Sequence, residues 1–161
     1  MANKPYREAV GSFMYPMTGT RPDVAYFIRE ISQYLDNPGL PHWNAVRHGL
    51  HYLNGTNDFG ITLGGVENLE LLQSDEYLMA YTDSFYAACQ DTRRCIGGYI
   101  TMFCNSPISW VTWRHHTVVL STTEAEYIAL SYCMQELLYL KLLLRELGYE
   151  SSKPTLIMED N

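Results

Sequence analysis

The chain has 161 residues, enough for one full domain or for a domain with a helical extension, and its 47% hydrophobic content is globular. Its net charge of −7 divides as −4 over residues 1–76 and −3 over residues 77–161, so no basic footprint supports loose electrostatic binding of nucleic acid. MANKPYREAV at residues 1–10 lacks a signal core, and Lys141 and Arg145 interrupt the longest apolar run, so an intracellular soluble protein is expected, cytoplasmic or nuclear, neither secreted nor membrane-spanning.

In chain order, YREAVGSFMY predicts a first helix that Pro16 closes. TGTRPDVAYFIREISQYL predicts a second, with Thr20 as N-cap, Pro22 in the first turn and Asp23 three residues after the cap. Its apolar residues Val24, Phe27, Ile28, Ile31 and Leu35 have helical spacing, and DNPG stops it. PHWNAVRHGLHYL predicts a third, ending at Asn54-Gly55, with Gly49 at a helix-weakening position. FGITLGG reads as a short strand and VENLELLQSDE as a connector. From Tyr77 the texture changes. YLMAYTD, CIGGYITMF and ISWVTW are rich in aromatic and β-branched residues and predict three strands, the last two joined through CNSP as a hairpin. STTEAEYIALSYCMQELLYLKLLLRELG predicts a long helix stopped by Gly148, and PTLIMEDN a last strand. Three strands joined by short turns pair antiparallel, and a strand returning after a helical crossover can pair parallel. The expected fold class is therefore α/β, a mixed sheet with a helix packed on it.

Three carboxylates stand out. YLMAYTD ends an apolar strand on Asp83, and an isolated buried carboxylate needs a partner, a hydrogen-bond network or a metal. Asp160 ends the last strand on the face of Leu156 and Met158. Glu124 forms a capping box with Ser121, which leaves Glu126 without an evident structural role. Two readings of Glu126 stand open: an acid facing the sheet, or a solvated acid favoured by the helix dipole. Each strand-end aspartate, taken alone, is also a turn former. Together the three acids can converge on one point, and clustered carboxylates hold hard divalent cations of the kind used in phosphodiester hydrolysis.

At these residues the chain resembles a known family. AYTDSFYAAC, RRCIGGYI, ISWVTW, LSTTEAEYIAL and EDN resemble, in order, the ribonuclease H domain of copia-type (pseudovirus) LTR retrotransposon polyproteins. YREAVGSFMYPMTGTRPDVAY and PHWNAVRHGLHYLNGT are similar to the segment that joins the reverse transcriptase palm and thumb to that domain. The resemblance implies a helical connection segment over residues 1–75 and a ribonuclease H-like domain over residues 76–161. It implies hydrolysis of RNA in an RNA–DNA hybrid during reverse transcription, with two Mg²⁺ or Mn²⁺ ions held by Asp83, Glu126 and Asp160. Arg93 and Arg94 are implied hybrid contacts, and the remainder of the polyprotein is an implied partner.

Departures from the family pattern point to an alternative. Phe85 stands where the family commonly has a further acid, RHGLHYL replaces a more basic helix, and the chain stops at Asn161, short of the family's later helices, strand and acid. The expectation is a C-terminally incomplete domain, either an enzyme or a non-catalytic remnant that keeps the fold as an interaction module. Other features read as structural. Cys89, Cys95, Cys104 and Cys133 lack CxxC spacing and read as free thiols. His115-His116 reads as a strand end, His48 and His51 lack further metal ligands, and Ser121 lacks an activating base. Trp43, Trp110 and Trp113 read as packing residues rather than base-stacking platforms.

Overall fold

The first helix, α1 (Tyr6–Gly19), runs through Pro16, where the sequence placed a stop. The computed structural model describes residues 4–64, 76–89 and 92–159, and the chain divides into two units, Met1–Ile61 and Thr62–Asn161. Proline removes one helical N–H but its own φ suits a helix. Tyr6, Val10 and Phe13 are buried before it, and its carbonyl accepts from the Thr20 and Arg21 amides at 2.9 and 2.8 Å.

The second expected helix is broken. Thr20 caps the end of α1, Pro22–Val24 form a single 3-10 turn, and α2 spans only Ala25–Ser32. Asp23 does not serve as a helix cap, because both its carboxylate oxygens accept from Arg21. That guanidinium also donates to the Thr56 carbonyl and hydroxyl at 2.8 and 2.7 Å, and Tyr52 donates to Asp23 at 2.8 Å. Arg21 is only 5% exposed, so its charge is tolerable because these partners satisfy it. Helix α3 (Leu40–Gly55) starts after Gly39, whose amide donates to His42 Nδ1 at 2.8 Å, while the His42 ring stacks on Tyr34. The three helices enclose Tyr6, Val10, Phe13, Ile28, Ile31 and Val46. FGITLGG is not a strand: residues 59–64 are irregular, with Phe59 exposed beside the Arg21 guanidinium. Residues 65–75, most of the expected connector, lie outside the described residues.

In the second unit, β1 (Leu78–Phe85), β2 (Ile96–Phe103), β3 (Ser106–Arg114) and β4 (Leu156–Glu159) form one sheet in the order β3-β2-β1-β4. The first three are antiparallel, and β4 is parallel to β1. Cys104 and Asn105 both have positive φ (46° and 59°), which gives the β2–β3 hairpin the two-residue turn whose twist matches its strands. A register shift follows Thr101, where Pro107 is tolerated because β3 is an edge strand.

Helix α4 (Thr122–Glu146) supplies the crossover between β3 and β4. Ser121 Oγ accepts from the Glu124 amide at 3.1 Å, and Glu124 reaches back to the Leu120 amide at 2.9 Å, one residue beyond the expected partner. Gly148, at φ 89°, ends the helix; its amide and that of Tyr149 bond the Arg145 and Leu144 carbonyls. Leu78 and Ala80 on β1 pack with Cys133, Leu137, Leu140 and Leu144 on α4 to make the core of the unit. All four cysteines are free thiols; burial pushes Cys104 up, and burial together with Glu136 pushes Cys133 to about 11.

Candidate active site

Strand β1 alternates. Leu78, Ala80 and Thr82 are buried on the side that α4 covers, whereas Tyr81, Asp83 and Phe85 are exposed. The expectation of a carboxylate driven into a buried strand end is thereby corrected: alternation sets Asp83 outward, opposite Gly98 of β2. Its Oδ1 accepts from the Ser84 amide at 2.6 Å, which orients the carboxylate. The next row of the sheet, on its other face, carries buried polar atoms that the sequence reading missed. Among the described residues, Ser84 Oγ, Trp113 Nε1 and both ring nitrogens of His115 have no hydrogen-bond partner. Gly97, paired with Ser84 and Trp113, makes room for them: a Cβ there would stand 2.6 Å from the Trp113 ring and 3.0 Å from His115 Nε2. Only the spacing of Trp113 and His115, two residues apart on one strand face, signalled this in the sequence.

Glu126 lies in the first turns of α4, half-buried, next to the fully buried Ala125. The Ser121–Glu124 capping pair fixes that turn, and the Tyr86 hydroxyl donates to the Leu120 carbonyl at 3.5 Å, linking the exit of β1 to the entry of α4. Asp160 lies outside the described residues. What precedes it is clear: Glu159 pairs with Thr82 in parallel register, so β4 runs beside β1 up to one residue short of Asp83. Among the described residues no group of three His, Cys, Asp or Glu side chains stands ready to hold a metal. Of the three expected acids the described residues thus include two, Asp83 near the end of β1 and Glu126 in the first turns of α4.

Arg93 is exposed and Arg94 half-buried in the β1–β2 connection. Arg93 has a φ of 55°, and reciprocal backbone bonds, Arg93 to the Cys89 carbonyl and Cys89 to the Arg94 carbonyl, hold the turn. His115 is a buried strand-end residue, as expected, stacked on Trp113; burial and then His116 push its pKa down. Glu136, half-buried on α4, accepts from Ser109 Oγ at 2.8 Å, and burial with the Glu136 charge pushes Tyr99 up to about 12.

Three antiparallel strands, a crossover helix and a parallel fourth strand against the first define a ribonuclease H-like fold, with carboxylates at the β1 and α4 ends. The chain belongs to the family of copia-type retrotransposon Pol polyproteins. It is 44% identical over 148 residues to the Retrovirus-related Pol polyprotein from transposon TNT 1-94 of Nicotiana tabacum, covering 92% of this chain and 10% of the polyprotein. It is 40% identical over 156 residues to the polyprotein from transposon RE2 of Arabidopsis thaliana, covering 97% of this chain and again 10% of the relative. The chain thus spans about a tenth of the length of these polyproteins. It is also similar to Secreted RxLR effector protein 161 of Plasmopara viticola, 36% identical over 87% of this chain and 94% of that protein. No protein-family model matches the chain, and no solved structure matches it.

Proposed function

We propose that the second unit is a retrotransposon ribonuclease H, which hydrolyses the RNA strand of an RNA–DNA hybrid during reverse transcription, and that the first unit is a reverse-transcriptase connection segment. The observation that supports this best is the order and pairing of the elements, which set Asp83 near the end of β1, Glu126 in the first turns of α4, and β4 in parallel register with β1 leading to the sequence position of Asp160. The donor set fits a hard divalent cation: both described carboxylates are at least partly open, and oxygen ligands suit Mg²⁺ or Mn²⁺. Asp83, Glu126 and Asp160 would hold two such ions, whose chemistry is an activated water and a counter-charge for the leaving oxygen. The chain's own contribution is positional. The Ser84 amide orients Asp83, and the cap at Ser121 and Glu124 holds the turn that carries Glu126. Glu126 sits near a helix N-terminus, where the backbone favours negative charge. The exposed Arg93 and its neighbour Arg94 would meet hybrid phosphates, giving an acidic protein a local anchor.

The test is cleavage of an end-labelled RNA strand in an RNA–DNA hybrid with Mg²⁺ or Mn²⁺, beside an Asp83→Asn control of equal thermal stability. Metal-dependent cutting of the RNA strand that disappears in the control is the expected result. A second reading is supported by the secreted effector relative, nearly all of whose length the chain spans, and by Phe85, 64% exposed beside the site. In that reading the fold is kept as a non-catalytic interaction module. Folded protein that neither cuts the hybrid nor changes on titration with Mn²⁺ would favour it.

A further inference from the structure

Three strands bring buried polar atoms together on the face of the sheet that α4 covers. Register places Ser84 of β1 and Trp113 of β3 on either side of Gly97 of β2. His115 follows on the face of Trp113, and its amide donates to the Cys95 carbonyl at 2.9 Å, which carries the β2–β3 pairing one residue past Arg114. Because Gly97 has no side chain, both rings lean into its place. The Trp113 carbon bonded to Nε1 and His115 Nε2 each come to 3.0 Å from where a Cβ would stand. Ser84 faces the same point across the β1–β2 pair, about 5 Å away at its Cβ. Trp113 cannot turn its N–H to solvent, since its ring packs among those of Tyr99, Tyr132 and His115 at 5.9, 5.0 and 6.0 Å between centroids. His115 is 2% exposed. Among the described residues, none offers a hydrogen bond to Trp113 Nε1, Ser84 Oγ or His115 Nε2. Buried polar atoms of folded proteins are nearly always satisfied, by protein or by ordered water.

We infer that the fold builds in an internal water molecule here, held by Trp113 Nε1, His115 Nε2 and Ser84 Oγ. The donor set selects water over other ligands. An indole N–H only donates, a hydroxyl does both, and a neutral imidazole nitrogen does one or the other according to its tautomer. Water, with two protons and two lone pairs, serves all three, and three partners are the usual complement of a buried water. The three side chains carry no formal charge, burial pushing His115 toward its neutral form, so an ion would find no counter-charge among them. The Cys95 thiol opposite His115 is engaged, its sulfur accepting from the Ala87 amide at 3.4 Å. His115 Nδ1, on the other side of the ring, is out of this water's reach. The bridge joins β1 to β3 across β2. On the same face Cys95 packs with Val119 and Ala125, so the bridged strands are those on which the first turn of α4, with Glu126, is seated.

Water–protein NOE and ROE spectroscopy on the ¹⁵N-labelled full chain tests this. The Trp113 indole N–H is assigned by its loss in Trp113→Phe, or by elimination with Trp43→Phe and Trp110→Phe should that variant not fold. It is expected to show NOE and ROE cross-peaks of opposite sign at the water frequency, the signature of a water that tumbles with the protein. Proton exchange with solvent would give peaks of one sign in both spectra. In Ser84→Ala, Trp113 and His115 still hold the water, so the cross-peaks are expected to persist. Three results would overturn the inference: no water cross-peak at the Trp113 indole, peaks of the same sign in both spectra, or peaks that vanish in folded Ser84→Ala because the serine hydroxyl proton had relayed them.

Discussion

Gly49 offers a direct contest between helix propensity and packing. In an exposed helix, Gly→Ala stabilises by about 1 kcal/mol. Here a Cβ on Gly49 would lie 2.4 and 2.5 Å from two Phe27 ring carbons and 3.1 Å from Phe13. Ordinary contact between such carbons is about 3.5–4.0 Å, so roughly 1 Å of movement is required. Phe13 is 1% exposed and cannot retreat. Phe27 is partly buried, so its ring has to swing away from the edge-to-face contact it makes with Phe13 at 5.4 Å between centroids. Overpacking costs about 1–3 kcal/mol, and the broken aromatic pair adds about 0.5–1.5 kcal/mol. After the propensity gain, Gly49→Ala is expected to destabilise the first unit by about 1–3 kcal/mol, measured by urea denaturation followed by far-UV circular dichroism. Phe27→Leu should relieve the clash, so the double variant should be less than additive in its loss. A neutral or stabilised Gly49→Ala chain would refute the packing argument and leave propensity in command.

Arg21→Met removes the hub that joins Asp23 to Thr56 and is expected to destabilise the first unit by about 2–4 kcal/mol in the same assay. The upper part of the buried-pair range is discounted because the Asp23 side chain is 34% exposed. His115 carries a pH dependence whose sign follows from its burial. Its folded pKa lies below the ordinary histidine value, so the unfolded chain binds the extra proton first as pH falls. Stability of the second unit should therefore decline below about pH 6.5, by no more than about 1.4 kcal/mol per pH unit from this group. Denaturation midpoints of the native chain and His115→Leu, compared from neutral to mildly acidic pH, should show a shallower slope in the variant; equal slopes would remove His115 from the account. Asn105→Val should lower stability by about 1–2 kcal/mol, because a β-branched residue replaces asparagine at a φ of 59° in the hairpin turn.

The order of elements in the second unit was legible in the sequence because it is written in local terms. Alternating and β-branched runs mark the strands, a capping pair opens the long helix, and Gly148 closes it. Ser121 and Glu124 cap it nearly as their spacing required. The first unit was less legible where two local preferences competed. Pro16 reads as a stop, yet burial of Tyr6, Val10 and Phe13 and the double use of its carbonyl carry the helix past it. Asp23 reads as a cap, yet a buried guanidinium two residues away claims both of its oxygens. Such outcomes depend on which groups are dehydrated, and that is known only when helices pack.

The candidate site divides in the same way. Residue type and order alone single out Asp83, Glu126 and Asp160. The exposure of Asp83 depends on the face of β1 that α4 covers, a matter of register and packing. The grouping of Ser84, Trp113 and His115, which have side-chain polar atoms without partners among the described residues, likewise exists only because three strands bring it together beside Gly97. Chemistry and periodicity are properties of single segments, and the chain carries them before it folds. Dehydration, cross-strand neighbours and the space left by a glycine are properties of pairs of segments, so only the tertiary structure decides them.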